Sequence, residues 1–438
     1  MMPWYASMGL MVGLILSLMA LRIPVAFAFL LANVIGVFIF MGGHFGLVQL
    51  AANASESLMN YSLLPIPLFI LMGELFFHTG IAERVFFVVD RLMGRVRGRL
   101  SYVAIGGGTL FSALSGSSLG NVAMMGSSMY PEMRKIGYSD TLSIGPIIAT
   151  GGLAAIIPPS GLAVVLGSLA GLDVGRLLLA GLVPGVLLAL SYAALVFTLT
   201  MIRPEAAPDY EVPRISGREK LKLAVVNLLP MMFIIFMVMG LIILGIATPT
   251  EAAAFGVVAV MIVAAFFRRL SLRAVLSAAE SAMKISGMIF MIILASTTFS
   301  QILALSGATR GLVGWVNGIE ASLPMMLVAM ALVLLLFGAF LEPVGIMLLT
   351  IPVFLPLAQS YGVDPLWMGV FILIFIELGL ATPPFGMALF VMMGSTQGKS
   401  ILAISRAVIP YLLCTLALVV VISAYPQIVL FLPTLAGR

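Results

Sequence analysis

Between residues 112 and 121 the chain reads SALSGSSLGN, inside a long apolar run. Ser115, Ser117, Ser118 and Asn121 crowd neutral side-chain oxygens into one turn. Hard cations are held by oxygen ligands of this kind, and Na⁺ is the natural low-charge candidate. Three other stretches have related chemistry. Gly151 and Gly152 allow close backbone approach and precede Pro158, Pro159 and Ser160. Glu342 stands before Pro343, in LEPVG. Glu377 and Gly379 precede Thr382, Pro383 and Pro384, in IELGLATPPFG. A carboxylate within a membrane segment is a functional candidate by default. Glu342 reads either as a cation-binding or gating group or as a cap for the Pro343 turn. Glu377 reads first as a structural residue. Glu74 and Glu251, nearer the interfaces, read as capping or interhelix hydrogen-bonding groups, and His78 as an interfacial residue.

Other chemistries lack their residues. GGGT at 106–109 has no P-loop lysine, and SGSSLG is not a nucleophile elbow. No Ser–His, paired-Asp or HExxH constellation is found, which argues against an intramembrane enzyme. His44 and His78 are far apart, and the single cysteine, Cys414, excludes an internal disulfide and a cysteine metal cluster.

The elements that must position these residues are membrane helices. Of 438 residues 62% are hydrophobic and 9% charged, against about 25% charged in soluble domains. Crossings are expected near 5–21, 24–42, 64–78, 138–171, 175–202, 222–246, 252–267, 285–305, 366–394 and 407–430. The first has no basic region before it and reads as an anchor rather than a cleaved signal. Placing 79–100 in the cytoplasm puts all of the 22 Lys and Arg residues inside except Arg176, Arg310 and Arg438. The net charge of +5 is then an orientation signal and a face for anionic lipid, with no role for nucleic acid. Both termini fall outside. The basic, amphipathic stretch 79–99 is expected to lie along the interface as an arm.

Two apolar stretches do not read as crossings. Residues 101–131 are flanked by Arg95, Arg97 and Arg99 before and by Arg134 and Lys135 after, so both ends sit on the basic side. The segment must enter and return, with SGSS at 115–118 as its tip. Its limbs, about 15 residues and about 22 Å each, reach past the bilayer middle. Residues 323–360 break at 341–345 and have Glu320 and Asp364 at their flanks, so they enter from the opposite side. Each such hairpin is followed by a helix broken at a Pro-Pro pair, IIPPSG in 138–171 and LATPPFG in 366–394. Single Gly/Pro breaks often serve only close packing. Two hairpin-plus-break units of opposite orientation form an inverted repeat, the sequence pattern of a secondary transporter with a midplane site.

The expected organisation is an all-α polytopic protein of about 10–12 transmembrane helices. Residues 1–63 form N-terminal scaffold helices, 64–202 the first repeat, 203–221 a cytoplasmic linker, and 222–284 central scaffold helices. Residues 285–406 form the second repeat and 407–438 a C-terminal helix.

Seven motifs in register extend this reading: PIPLFILMG (65–73), SALSGSS (112–118), GSSMYPEMRKIGYS (126–139), GGLAAIIPPS (151–160), ATPTEAAA (247–254), FLEPVGIMLLTIPVFLPLA (340–358) and GLATPPFGMALFV (379–391). By these the chain resembles the large membrane subunit of tripartite ATP-independent periplasmic (TRAP) transporters. The resemblance implies a multi-pass bacterial or archaeal inner-membrane protein working with a small four-helix membrane subunit and a periplasmic substrate-binding protein. It implies import of a small organic acid, such as a dicarboxylate or sugar acid, driven by a Na⁺ gradient, with no other cofactor. It also implies an elevator, in which hairpins and broken helices slide against a scaffold. By motif position, Ser115, Ser117, Ser118, Asn121, Gly151, Gly152 and the Pro158–Ser160 break form one Na⁺ region. Glu342, Gly379, Thr382 and Pro383 form the other. Substrate contacts fall to Ser117, Ser118, Asn121, Pro159, Ser160, Pro383 and Pro384. Position 121 departs from the family's usual Thr or Asp, and a neutral Asn keeps an oxygen but carries no charge. The alternative is a stand-alone ion-coupled dicarboxylate or inorganic anion carrier of similar hairpin architecture.

Overall fold

The computed structural model describes residues 2–59, 61–94, 96–208, 216–383, 385–396 and 398–436, and among them every regular element is helical. Among the described residues six helices are long and apolar enough to cross a bilayer: Val174–Ile202, Gly217–Ile243, Pro249–Phe266, Leu272–Leu305, Pro343–Ser360 and Ile401–Ala424. Shorter apolar helices accompany them, including Trp4–Ala20, Val25–Phe40, Pro65–His78 and Pro365–Ala381. The chain is a multi-pass helical membrane protein.

Both expected hairpins are present. The first pairs Arg99–Ser115 with Ser118–Ser128. Its entering limb ends at Gly116, whose φ of 62° is the left-handed conformation that glycine adopts without strain. Ser117 starts the return limb, its Oγ accepting from the Gly120 N–H at 3.1 Å. The second hairpin pairs Leu323–Gly338 with Pro343–Ser360. Proline at the first position of the returning limb removes an N–H that would have no partner there.

Both broken helices are present too. Asp140–Gly151 runs into a short 3₁₀ turn, Gly152–Ala155, and resumes as Gly161–Ala170 beyond a cis Pro158–Pro159 bond. Ser160 secures the restart: its Oγ accepts from the Ala163 N–H at 3.2 Å and donates to the Ala155 carbonyl at 2.8 Å. In the other half Pro365–Ala381 stops at Thr382 and resumes as Met387–Ser395.

The halves interlock reciprocally. The return limb of each hairpin packs on the second segment of the other half's broken helix: Ser118–Ser128 on Met387–Ser395, and Pro343–Ser360 on Gly161–Ala170. Each hairpin also packs on its own half's broken helix, and Gly338 and Gly379 allow one such approach. An added Cβ on either would lie 2.6 Å from the other's Cα. Outside this group, Pro65–His78 packs against Leu272–Leu305 and Pro249–Phe266.

Several boundaries differ from the sequence expectation. His44–Leu58 and Ala308–Gly318 are helices where no element was expected. Both mix polar and apolar residues, which hides them from an apolar-run criterion. Leu272–Leu305 begins well before 285, because its polar first turns carry Ser271 as a cap. The expected crossing 407–430 is Ile401–Ala424 followed, after Tyr425 and Pro426, by a separate helix Gln427–Ala436. Pro65–His78 has 14 residues, about 21 Å, too short to cross a bilayer about 30 Å thick by itself. The expected arm is the helix Ile81–Met93.

Candidate functional site

Both hairpin tips and the first break meet at one cavity. A space of about 220 Å³ is lined by the first hairpin's tip (Ser115 to Ser118), by Pro159 and Gly161 of the first break, by Pro343 of the second hairpin and by Leu380 near the end of the helix Pro365–Ala381. The helix Pro65–His78 closes another side through Phe69, Met72 and Glu74. The fit at the tip is tight. An added Cβ on Gly116 would stand 3.4 Å from the Gly161 nitrogen, and one on Gly73 would collide with the Ser115 carbonyl oxygen.

Three helices begin at this cavity: Ser118–Ser128, Gly161–Ala170 and Pro343–Ser360. Unpaired N–H groups and the helix dipole give each N-terminus a partial positive charge. Among the described residues no Lys or Arg lines the cavity. Three N-termini and the Ser115, Ser117 and Ser118 hydroxyls therefore supply an anion-attracting surface without a cationic side chain. The one carboxylate in the described lining, Glu74, has His78 Nε2 at 3.4 Å from its Oε2, and that nitrogen is also 3.4 Å from Ser281 Oγ.

A second, smaller space of about 30 Å³ lies beside the first, and Ser118 lines both. It holds Glu377, which is 6% exposed. Ser118 Oγ donates to Glu377 Oε1 at 2.6 Å, a hydrogen bond between residues 259 apart in the chain. On the other side an added Cβ at Gly152 would lie 3.5 Å from Glu377 Cβ and 3.8 Å from its Oε2. The Ser118 carbonyl faces Gly151, where an added Cβ would stand 3.0 Å from it. One carboxylate, one hydroxyl, the backbone at Gly151–Gly152 and Thr415 thus share a compartment in which uncompensated negative charge is costly.

The structure distributes the other sequence candidates. Asn121 is fully buried and lines neither cavity. Its Nδ2 donates to Ser112 Oγ at 2.6 Å and to the Gly108 carbonyl at 3.3 Å, and Ser112 Oγ donates in turn to the Thr150 carbonyl at 2.7 Å. This chain joins the two limbs of the first hairpin to the first broken helix, while Asn121 Oδ1 has no partner among the described residues. Pro158, Pro159 and Ser160 are buried at the first break. Glu342 is half-buried at the second tip and its side chain caps nothing. Thr382 Oγ1 donates back to the Leu378 carbonyl of its own helix at 2.6 Å. Gly379 packs on Gly338, Pro383 is half-buried beside Thr382, and Pro384 lies outside the described residues. Glu251 does cap its helix, sharing a reciprocal capping box with Thr248. Glu377 stands six residues before the Pro383–Pro384 pair, and its hydrogen-bond partner Ser118, in the other half, is not visible from the sequence.

The pattern of the family described as "Tripartite ATP-independent periplasmic transporter, DctM component" matches residues 12–428. The chain belongs to this family of TRAP transporter large permeases. It is 33% identical over 390 residues to the C4-dicarboxylate TRAP transporter large permease DctM of Pseudomonas aeruginosa, covering 89% of this chain and 90% of that protein. The ectoine TRAP transporter large permease TeaC of Halomonas elongata is 29% identical, covering 98% of this chain and 99% of its own length. The sialic acid TRAP transporter large permease SiaM of Vibrio cholerae is 29% identical, covering 96% and 97%. Among solved structures, the Alcanivorax borkumensis YdaH transporter aligns with a TM-score of 0.58 at 14% identity over 90% of this chain and 89% of that one, a likeness of fold. The family is one of transporter permease subunits.

Proposed function

We propose that this TRAP large permease imports a carboxylate-bearing organic solute down a Na⁺ gradient, in the bacterial inner membrane, with a small four-helix membrane subunit and a periplasmic binding protein. The observation that carries the substrate class is the convergence of three helix N-termini and three serines on a cavity with no Lys or Arg. Such a surface suits a carboxylate, which needs donors more than a full counter-charge. The named substrates of the relatives agree in chemistry: a C4-dicarboxylate, ectoine and sialic acid each bear a carboxylate.

The coupling ion is assigned to the smaller space. A buried carboxylate with a single hydrogen bond gains most from a cation, and the Ser118 oxygens and Gly151–Gly152 backbone are hard neutral ligands beside it. Ser118 borders both spaces, so a cation on Glu377 and an anion at the hairpin tip stabilise each other, which is the physical basis of symport. The moving unit is the interlocked set of hairpins and broken helices. It slides along a scaffold that includes Pro65–His78 and Leu272–Leu305. The stand-alone carrier keeps only the fold-level likeness in its favour.

The test is uptake into proteoliposomes holding this chain and its small partner, with labelled organic acids and an imposed Na⁺ gradient. Uptake that needs Na⁺ and the binding protein is the expected result. Uptake of the same acids without the binding protein would support the stand-alone carrier instead.

A further inference from the structure

A basic pocket stands apart from the transport site. Arg84 on the helix Ile81–Met93, Asn227 on Gly217–Ile235 and Arg269 just beyond Pro249–Phe266 line a space of about 430 Å³ with Phe87, Leu223 and Val226. Arg84 is held in place. Its Nη1 donates to Asn227 Oδ1 at 3.3 Å, its guanidinium carbon lies 4.4 Å from the centre of the Phe267 ring, and Asn227 is fixed by donating to the Leu223 carbonyl at 2.9 Å. Among the described residues neither Arg84 nor Arg269 forms an ion pair. Two guanidinium groups in a pocket with no carboxylate among its described lining ask for an anion.

The pocket adjoins a second space at Val226. Val226 also borders a groove of about 750 Å³ between Gly217–Ile243 and Pro249–Phe266, lined only by apolar residues such as Leu229, Phe233, Ile262 and Phe266. These side chains are exposed, and the groove lies between two helices apolar enough to span the membrane. An anionic end joined to a long apolar end has the polarity of a phospholipid. The pocket sits at the basic end of the bundle, where anionic headgroups concentrate positive charge.

We propose that Arg84, Arg269 and Asn227 bind the phosphate of one anionic phospholipid, whose acyl chains fill the groove between Gly217–Ile243 and Pro249–Phe266. The lipid then ties three elements together where the amphipathic arm meets the two spans. A soluble phosphate ester would satisfy the arginines but leave the groove uncovered. A helix of a partner protein would cover the groove but bring no phosphate.

Native mass spectrometry on the full chain, purified in detergent with whatever membrane partner accompanies it, tests this. It is titrated with phosphatidylglycerol, with phosphatidylcholine of the same chains, and with glycerol 1-phosphate. Phosphatidylglycerol is expected to bind roughly tenfold or more tighter than phosphatidylcholine, and glycerol 1-phosphate only weakly. Arg84→Ala with Arg269→Ala should abolish the preference, and Arg84→Lys with Arg269→Lys should keep most of it. Arg134→Ala with Lys135→Ala, which removes two charges elsewhere at the basic end, should leave it unchanged. Equal binding of the two lipids, an equal loss in the Arg134/Lys135 variant, or glycerol 1-phosphate binding as tightly as the lipid would each overturn the proposal. So would lipid binding that appears only after a partner protein is stripped away, which would make the groove a protein interface.

Discussion

The tips of the two hairpins occupy equivalent places in an inverted repeat, yet their chemistry differs. The first is made of Ser115, Gly116, Ser117 and Ser118, borders both cavities and reaches Glu377 in the other half through a 2.6 Å hydrogen bond. The second is Leu341, Glu342 and Pro343. Its carboxylate caps no N–H, and beside it the exposed rings of Phe340 and Phe385 meet at 5.1 Å, joining the second tip to the second break. The fold duplicates geometry, and the side chains then divide the work. In our account the first tip and Glu377 couple ion to substrate, and the second tip closes the path with an apolar pair. Glu342 has only proximity in its favour, whereas Glu377 has burial, a partner and a cavity.

The sharpest challenge to this division is Glu377→Gln, which keeps the volume and removes the charge. Losing one partner of a buried ion pair costs about 3–5 kcal/mol, so Na⁺-driven uptake should fall on the order of 100-fold or more. Ser118→Ala removes the bond to that carboxylate, and hydrogen bonds to charged groups contribute about 1.5–3 kcal/mol. The Na⁺ concentration for half-maximal uptake should rise roughly tenfold or more, with the protein still inserted. Gly73→Ala pushes a methyl against the Ser115 carbonyl, where overpacking costs about 1–3 kcal/mol. Uptake should drop about tenfold, while Gly13→Ala, with nothing within 4 Å of the new methyl, should be silent. Phe340→Ala should change uptake by roughly fivefold or less, because an exposed aromatic pair contributes about 1 kcal/mol, and should show as solute leak without Na⁺. A large loss of coupling at Phe340 with little at Ser118 would reverse the comparison.

Much of this architecture was legible in the sequence because it is written locally. Basic residues on both sides of 101–131 forbid a crossing, and Gly116 with three neighbouring serines can only be a turn. Pro158–Pro159 and Pro383–Pro384 interrupt helices wherever those helices lie. His44–Leu58 and Ala308–Gly318 were hidden because their polar residues, such as Gln49, Asn53, Arg310 and Asn317, break the apolar run. Asn53 is used for packing, its Nδ2 donating to Gln301 Oε1 at 2.7 Å and to Thr298 Oγ1 at 3.2 Å across 245 or more residues. Long-range partners explain the site's surprises as well. Asn121 follows the tip in sequence, and its Nδ2 bonds to Ser112 and Gly108 brace the two limbs. The sequence does not show that Glu377 meets Ser118 of the other half, or that it packs beside Gly152. Residue type and spacing reveal where a helix breaks, and only the packing reveals what the break faces.

The central claim is that Glu377, rather than Glu342, carries the coupling ion. The most direct measurement is the Na⁺ dependence of uptake in proteoliposomes for Glu377→Gln and Glu342→Gln side by side, each normalised to inserted protein. The account predicts that Glu377→Gln loses Na⁺-driven uptake while Glu342→Gln keeps it, with a half-saturating Na⁺ concentration within about fivefold of the unmodified chain, as expected for a half-buried, uncapped carboxylate worth under about 1 kcal/mol. Loss of Na⁺ dependence in Glu342→Gln with near-normal coupling in Glu377→Gln would contradict it and move the ion to the second tip.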